Sequence, residues 1–302
     1  MPPSVLVGAG IVSVQLGAGL AARLFTEVPP AAVTGLRLAT SAVMMAAIGG
    51  RGLTRTLGQL IRGRRWQDAA VAVAFGVTLA VMNFSIYQSF ARIPLGIAVT
   101  IEFLGPLAVA VVSSRHLIDL LWVGLAGLGV TLLADGGTAL AGGAVPGSHG
   151  GPGTAVAGVA FALVAAAGWA AYIMLSASTG RRLSGSSGLA IAMIIAALLV
   201  APPAVAAGGA AVLRPGVLAT GAVIGLLSSV VPYRFELEAL RRIPARVFGI
   251  WMSLEPAVAA LVGLVVLSES LAARQWAAVC CVVAASAGAS RGAAGSAQAP
   301  QA

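Results

Sequence analysis

Arg92-Ile93-Pro94-Leu95-Gly96-Ile97-Ala98-Val99-Thr100-Ile101-Glu102-Phe103-Leu104-Gly105-Pro106 decides how the chain is read, because its pattern returns 150 residues later as Arg242-Ile243-Pro244-Ala245-Arg246-Val247-Phe248-Gly249-Ile250-Trp251-Met252-Ser253-Leu254-Glu255-Pro256. In both copies a second proline follows the first by twelve residues, a leucine stands two positions ahead of it, and one glutamate, Glu102 or Glu255, lies deep in an apolar run. A repeat at that offset divides the chain into two related halves.

Around the repeated stretch the sequence is apolar almost throughout. Hydrophobic residues make up 59% of the 302 and charged residues 9%, with a mean hydropathy of +0.99, which is the balance of a polytopic membrane protein and not of a soluble domain. Runs near the length of about 20 residues that crosses a bilayer fall at 4–24, 30–49, 67–90, 94–113, 117–134, 152–175, 187–206, 216–236, 244–267 and 271–290. The expected fold is therefore an all-α membrane protein of ten transmembrane helices. The first run has no basic residue ahead of it and reads as a span, not a cleaved signal.

The formal charge of +9 does not imply a nucleic-acid partner, since the basic residues are arginines clustered between apolar runs. Arg51, Arg55, Arg62, Arg64, Arg65, then Arg115, Arg181, Arg182, Arg241, Arg242 and Arg291 fall in alternate connections. The opposite connections carry only Arg92, Arg214 and Arg274. By the positive-inside rule both termini are cytoplasmic. With five spans in each half, an odd number, the two copies of Arg-Ile-Pro face opposite sides, and the halves form two inverted-topology five-helix repeats. Residues 1–135 are the first repeat, 136–153 a Gly/Pro-rich extracytoplasmic linker, 154–291 the second repeat and 292–302 a disordered cytoplasmic tail.

In each copy the first proline suits a helix start, whereas Pro106 and Pro256 fall mid-span and break the helix there. Interrupted helices at mid-membrane are where secondary transporters bind their cargo. The alternative is a kink satisfied by a neighbouring Ser or Thr. Glu102 lies eight residues past Pro94 and Glu255 eleven past Pro244, or about 12 and 17 Å into a core of about 30 Å. An acidic side chain at that depth costs roughly 3 kcal/mol unless protonated, paired or facing water. Substrate or proton binding and a structural interhelical hydrogen bond both fit these glutamates.

Arg37, seven residues past Pro30, is also within the hydrocarbon, and its planar fork suits a carboxylate; snorkelling is the alternative. Asn83 and Tyr87 share a face of the third span. Gln15, Trp169, Tyr172, Ser228 and Ser229 add polar or amphipathic groups on a few other helices, which points to one shared cavity. Glu238 and Arg242 read as a surface i,i+4 pair, and Glu236 is ambiguous. Cys280 and Cys281 are adjacent and cannot bridge each other comfortably. His116 and His149 have no ligands near them in sequence, so no metal is expected, and no cofactor either. Phosphate-loop, His-Glu-x-x-His and Gly-x-Ser-x-Gly patterns are absent; the reading is a carrier, with no catalytic residues.

Arg92 to Val99, Glu102-Phe103, Gly105 to Ala110, Pro232-Tyr233, Glu236 and Phe248 to Ala257, supported by Ser13-Val14-Gln15, Arg37, Asn83, Tyr87, Trp169 to Ile173 and Arg246, closely resemble the EamA branch of the drug/metabolite transporter superfamily. The resemblance implies a ten-helix inverted-repeat carrier of the inner membrane that exports small amino acids of the threonine or homoserine kind, or related metabolites, by proton antiport and alternating access. Under it, Glu102, Glu255, Arg37, Asn83, Tyr87, Gln15, Trp169 and Tyr172 bind substrate or proton. The partners are then a small molecule, protons and the bilayer, with a homodimer left open. Arg234 departs from the family pattern, where a small residue follows Pro-Tyr, and is expected to add charge at the cytoplasmic mouth. A drug or nucleobase carrier of the same superfamily, or a membrane protein that transports nothing, are the alternatives.

Overall fold

The computed structural model describes residues 1–62, 66–113, 119–134, 152–183 and 187–292. Within these residues thirteen helices follow one another as α1 (Pro3–Leu24), α2 (Pro30–Arg62), α3 (Trp66–Phe90), α4 (Leu95–Glu102), α5 (Leu104–Ser113), α6 (Asp119–Ala134), α7 (Pro152–Arg182), α8 (Ser187–Gly208), α9 (Pro215–Gly225), α10 (Val231–Leu240), α11 (Ala245–Met252), α12 (Glu255–Leu267) and α13 (Ala273–Gly292). A 3₁₀ turn, Gly209–Leu213, follows α8, and a π turn, Leu226–Val230, joins α9 to α10. Among the described residues there is no strand. Among the described residues, eight stretches are long and apolar enough to cross a membrane. The other two expected spans are α6 and α13, which pack against each other.

The 150-residue offset reappears in the backbone. α4 runs Leu95–Glu102 and α11 runs Ala245–Met252, and each gives way to a new helix, α5 or α12, within three residues. The interruption falls just ahead of Pro106 and Pro256, which occupy the first turns of α5 and α12, where a missing N–H is harmless. Packing obeys the same exchange of halves: α2 meets α8 and α6 meets α13, while α3–α7 is mirrored by α1–α10 and α1–α12 by α5–α7.

In lipid, helices gain little from apolar burial against one another, so close contact rests on small residues. A Cβ on Gly96 would stand 2.6 Å from Ala260 Cα, and one on Gly105 would overlap the Ala166 carbonyl oxygen. These glycines let the first interrupted span approach α12 and α7 backbone to backbone.

Two expectations change. The run at 30–49 continues as helix to Arg62 after a kink at Gly50, whose φ of 44° is open to glycine; the segment after Gly50 is an amphipathic helix and not an arginine-rich loop. α7 starts at Pro152, so the last two residues assigned to the linker belong to it. Residues 136–151, His116, His149 and 293–302 lie outside the described residues. Cys280 is exposed and Cys281 half-buried, and both are free thiols.

Alternating passes put Met1, the end of α10 and the start of α11 at one end, here the near end, where Arg242 Nη1 donates to the Met1 carbonyl at 3.1 Å. The far end holds the largest buried cluster, drawing Leu24, Val28, Phe90, Ile93, Leu95 and Ile97 from the first half and Ala155, Val217 and Leu267 from the second.

Candidate functional site

Between the halves lies a cavity of about 480 Å³, within the range of small-molecule sites. It extends from Phe90 and Val99 near the far-end cluster to Met45, ahead of the kink in α2, and to Leu189 and Phe248, near the starts of α8 and α11 at the near end.

All eight residues expected to bind substrate or proton line this one cavity, as does Pro106. Pro256 is not among the lining residues; its helix start instead orients Glu255, the first residue of α12. Gln15, from α1, donates its Nε2–H to Glu255 Oε1 at 3.0 Å, across 240 residues of sequence. Gln15 is 2% and Glu255 6% exposed, yet Gln15 Oε1 and Glu255 Oε2 have no hydrogen-bond partner. Two buried acceptors thus stand side by side with spare capacity, an arrangement that costs free energy unless a donor arrives.

Arg37 supplies the opposite charge. Its guanidinium carbon is 5.3 Å from the centre of the Tyr87 ring, a cation–π geometry, and Nη2 reaches the Ser228 carbonyl at 3.5 Å. That carbonyl belongs to the π turn, whose wider winding re-aims backbone groups. The turn is further held by Ser13 Oγ donating to the Leu227 carbonyl at 2.8 Å and by the Ser41–Ser229 hydroxyl pair at 2.8 Å. Arg37 is the cationic side chain among the lining residues, and it makes no ion pair among the described residues. It does not snorkel away: its field reaches Glu102.

Tyr87 is 1% exposed and packs against Phe25 and Phe90, and its hydroxyl lies within reach of Arg37 and Ser228 without a hydrogen bond of good geometry to either. Asn83 donates to the Leu79 carbonyl at 2.8 Å, which leaves its side-chain oxygen to the cavity. Trp169 stands edge-on to Phe103 with centroids 5.1 Å apart, and Tyr172 tilts against Phe75 at 5.3 Å. These aromatics supply much of the apolar lining of the cavity.

Glu236 joins the site: it lines the cavity one turn beyond Pro232 and Tyr233 and lies within electrostatic reach of Glu255, as does Glu102. Its spacing from Pro232 on one helix face is the signal that identifies it. Arg234 is corrected. It is exposed and absent from the lining, because the 100° step from Tyr233 turns it away from the cavity. Glu238 and Arg242 form the expected surface pair, with Nε to Oε1 at 2.8 Å. Among the described residues no cluster of His, Cys, Asp or Glu has metal-binding geometry.

Residues 156–291 match the EamA-like transporter family. The threonine/homoserine exporter RhtA of Salmonella typhimurium is 38% identical over 277 residues, covering 91% of this chain and 87% of the relative. RhtA of Escherichia coli is 38% identical over 287 residues, covering 95% and 90%. One protein of known crystal structure superposes with a TM-score of 0.59 at 20% identity, over 95% of this chain and 96% of that one, a likeness of fold alone. From the two interrupted spans to the lined cavity and these relatives, the chain belongs to the EamA-like transporter family.

Proposed function

We propose that the protein exports small α-amino acids of the threonine or homoserine type across the inner membrane, by proton antiport and alternating access between two inverted-topology five-helix repeats. One observation carries the reading: an arginine without an ion pair faces the same cavity as two buried, unpartnered acceptors, Gln15 Oε1 and Glu255 Oε2. A zwitterion satisfies both ends at once, its carboxylate on Arg37 and its ammonium on Gln15 and Glu255. A side-chain hydroxyl then meets Asn83 or Tyr87. The relatives named as threonine/homoserine exporters support this cargo.

Glu102 and Glu255 are the proton-exchanging groups, with Glu236 nearer the mouth. The exchange-symmetric packing of the halves and the alternating passes support the inverted repeat, and the arginine bias supports a cytoplasmic near end. On this reading the cavity faces the cytoplasm and the far end is closed. The wall of Phe103, Trp169 and Tyr172 favours one second reading, a carrier of flat apolar solutes such as drugs or nucleobases.

Efflux of labelled threonine and homoserine from proteoliposomes, with and without an imposed pH gradient, tests the reading. Parent protein moves both faster under the gradient, and Glu102→Gln or Glu255→Gln removes the acceleration. Parent protein that moves neither amino acid under any gradient, while a drug or nucleobase crosses, refutes the cargo in favour of the second reading.

A further inference from the structure

Glu269 is a buried carboxyl that the cavity does not use. It lies between α12 and α13 at the far end, beyond the spans, and is 2% exposed. Its Oε2 accepts the backbone N–H of Leu95 at 2.8 Å, the first residue of α4 after Arg92-Ile93-Pro94. Its Oε1 has no partner.

The local fold is built to bring it there. α12 ends at Ser268 in the left-handed region, with φ 57°, and the chain doubles back so that the Glu269 N–H donates to the Gly263 carbonyl at 3.0 Å. A Cβ on Gly263 would stand 2.5 Å from Glu269 Oε2, so a side chain at 263 would displace the carboxyl from this position. A side chain of the second half thereby caps the interrupted span of the first. Beside it, Arg23 Nε donates to the Val266 carbonyl at 2.9 Å, a second tie across the halves at the same end.

We propose that Glu269 is the latch of the far end: a carboxyl that is dry and tied to α4 while that end is closed, hydrated when it opens, and protonated in favour of closure. The inference rests on the alternating-access reading above. A negative charge at a helix N-terminus is favourable, but a dry carboxylate with one oxygen unpartnered is not, and the balance decides the direction.

The charged groups nearby are committed elsewhere. From α1, Arg23 is bound to Val266, and Glu27 is exposed in the turn after that helix. Before α4, Arg92 holds Gln88 Oε1 at 2.8 Å and lies over the Phe161 ring. α13 offers Arg274, half-buried. The glutamates of α4 and α12, Glu102 and Glu255, sit at the opposite ends of those helices, in the cavity. None of these makes an ion pair with Glu269 among the described residues. Burial, opposed only by the Leu95 N–H, pushes the Glu269 carboxyl up from 4.5 to about 7.

An opened, hydrated carboxyl returns to the ordinary value. The closed form therefore binds the proton more tightly, gains population as pH falls through 7 and loses it as pH rises. Linkage between the two values makes closure about tenfold more favoured at pH 6 than at pH 8. External acidity on the far side thus resets the carrier to the state that loads from the near side.

The test uses the purified full chain in detergent, with Cys280 and Cys281 replaced by alanine and one reporter thiol. Val28→Cys reports the far-end cluster, where Val28 is 2% exposed; Thr26→Cys, exposed, corrects for thiol ionisation. Relative maleimide labelling at Val28→Cys falls about tenfold from pH 8 to pH 6 in the parent. In Glu269→Gln it falls less than about threefold, and Glu269→Asp, which keeps a titrating carboxyl, retains the fall. Persistence of the full fall in Glu269→Gln, or its loss in Glu269→Asp, overturns the latch alone. A far end that never labels in any variant overturns the latch and the alternating-access reading together.

Discussion

Gln15→Leu is the substitution whose consequence is set most directly by the geometry. Leucine nearly matches glutamine in volume, so the packing of α1 against α12 is kept while two polar atoms are removed. The lost Nε2–H bonds Glu255 Oε1 at 3.0 Å, and the lost Oε1 is the unpartnered acceptor assigned to the substrate ammonium. A hydrogen bond to a charged group contributes about 1.5–3 kcal/mol net. At about 1.4 kcal/mol per tenfold, Gln15→Leu binds threonine roughly ten- to 150-fold more weakly than the parent. Equilibrium binding of labelled threonine to purified protein in detergent measures it, with thermal unfolding as a check on folding. A dissociation constant within about twofold of the parent, in a folded variant, refutes the assignment of Gln15 to the ammonium.

Arg37→Lys keeps the charge but loses the bidentate fork and the stacking over Tyr87, and threonine affinity drops about tenfold or more, whereas Arg37→Met, with neither charge nor donors, binds threonine more weakly still; equal affinity in Arg37→Lys contradicts the fork. Gly105→Ala drives a methyl into the Ala166 carbonyl, and Gly124→Ala meets nothing within 4 Å. The first lowers the melting temperature by several degrees for a cost of about 1–3 kcal/mol, and the second leaves it unchanged. Arg234→Ser, on a side chain turned away from the cavity, leaves substrate preference in a counterflow panel as it is in the parent; a changed preference places Arg234 at the mouth after all.

Much of the site was legible because a polar residue in an apolar span is costly enough to need a reason. Glu102, Glu255, Arg37, Asn83, Tyr87 and Gln15 stood out on that ground, and all line one cavity. The second proline of each repeated stretch, Pro106 and Pro256, foretold paired interruptions, since a proline inside a span cannot continue the helix that precedes it. Glu269 was not legible. A carboxyl just beyond a span reads as solvated, and only the fold-back after Ser268 and the missing side chain at Gly263 bury it against another half of the chain. The helix beyond Gly50 was missed because glycine followed by arginines reads as a loop, although glycine can also take the positive φ that turns one helix into the next. Arg234 was misplaced by proximity in sequence, when the helical step between neighbours sets which side chain faces inward.

The central claim is that one cavity reads both ends of a zwitterion. Its most direct measurement compares the binding of threonine, threonine amide and N-acetyl-threonine to the parent and to Arg37→Met by calorimetry. The account predicts that the parent binds threonine, that removing either the carboxylate or the ammonium weakens binding at least tenfold, and that Arg37→Met no longer distinguishes threonine from its amide. Equal binding of all three ligands by the parent, or full discrimination retained in Arg37→Met, contradicts it.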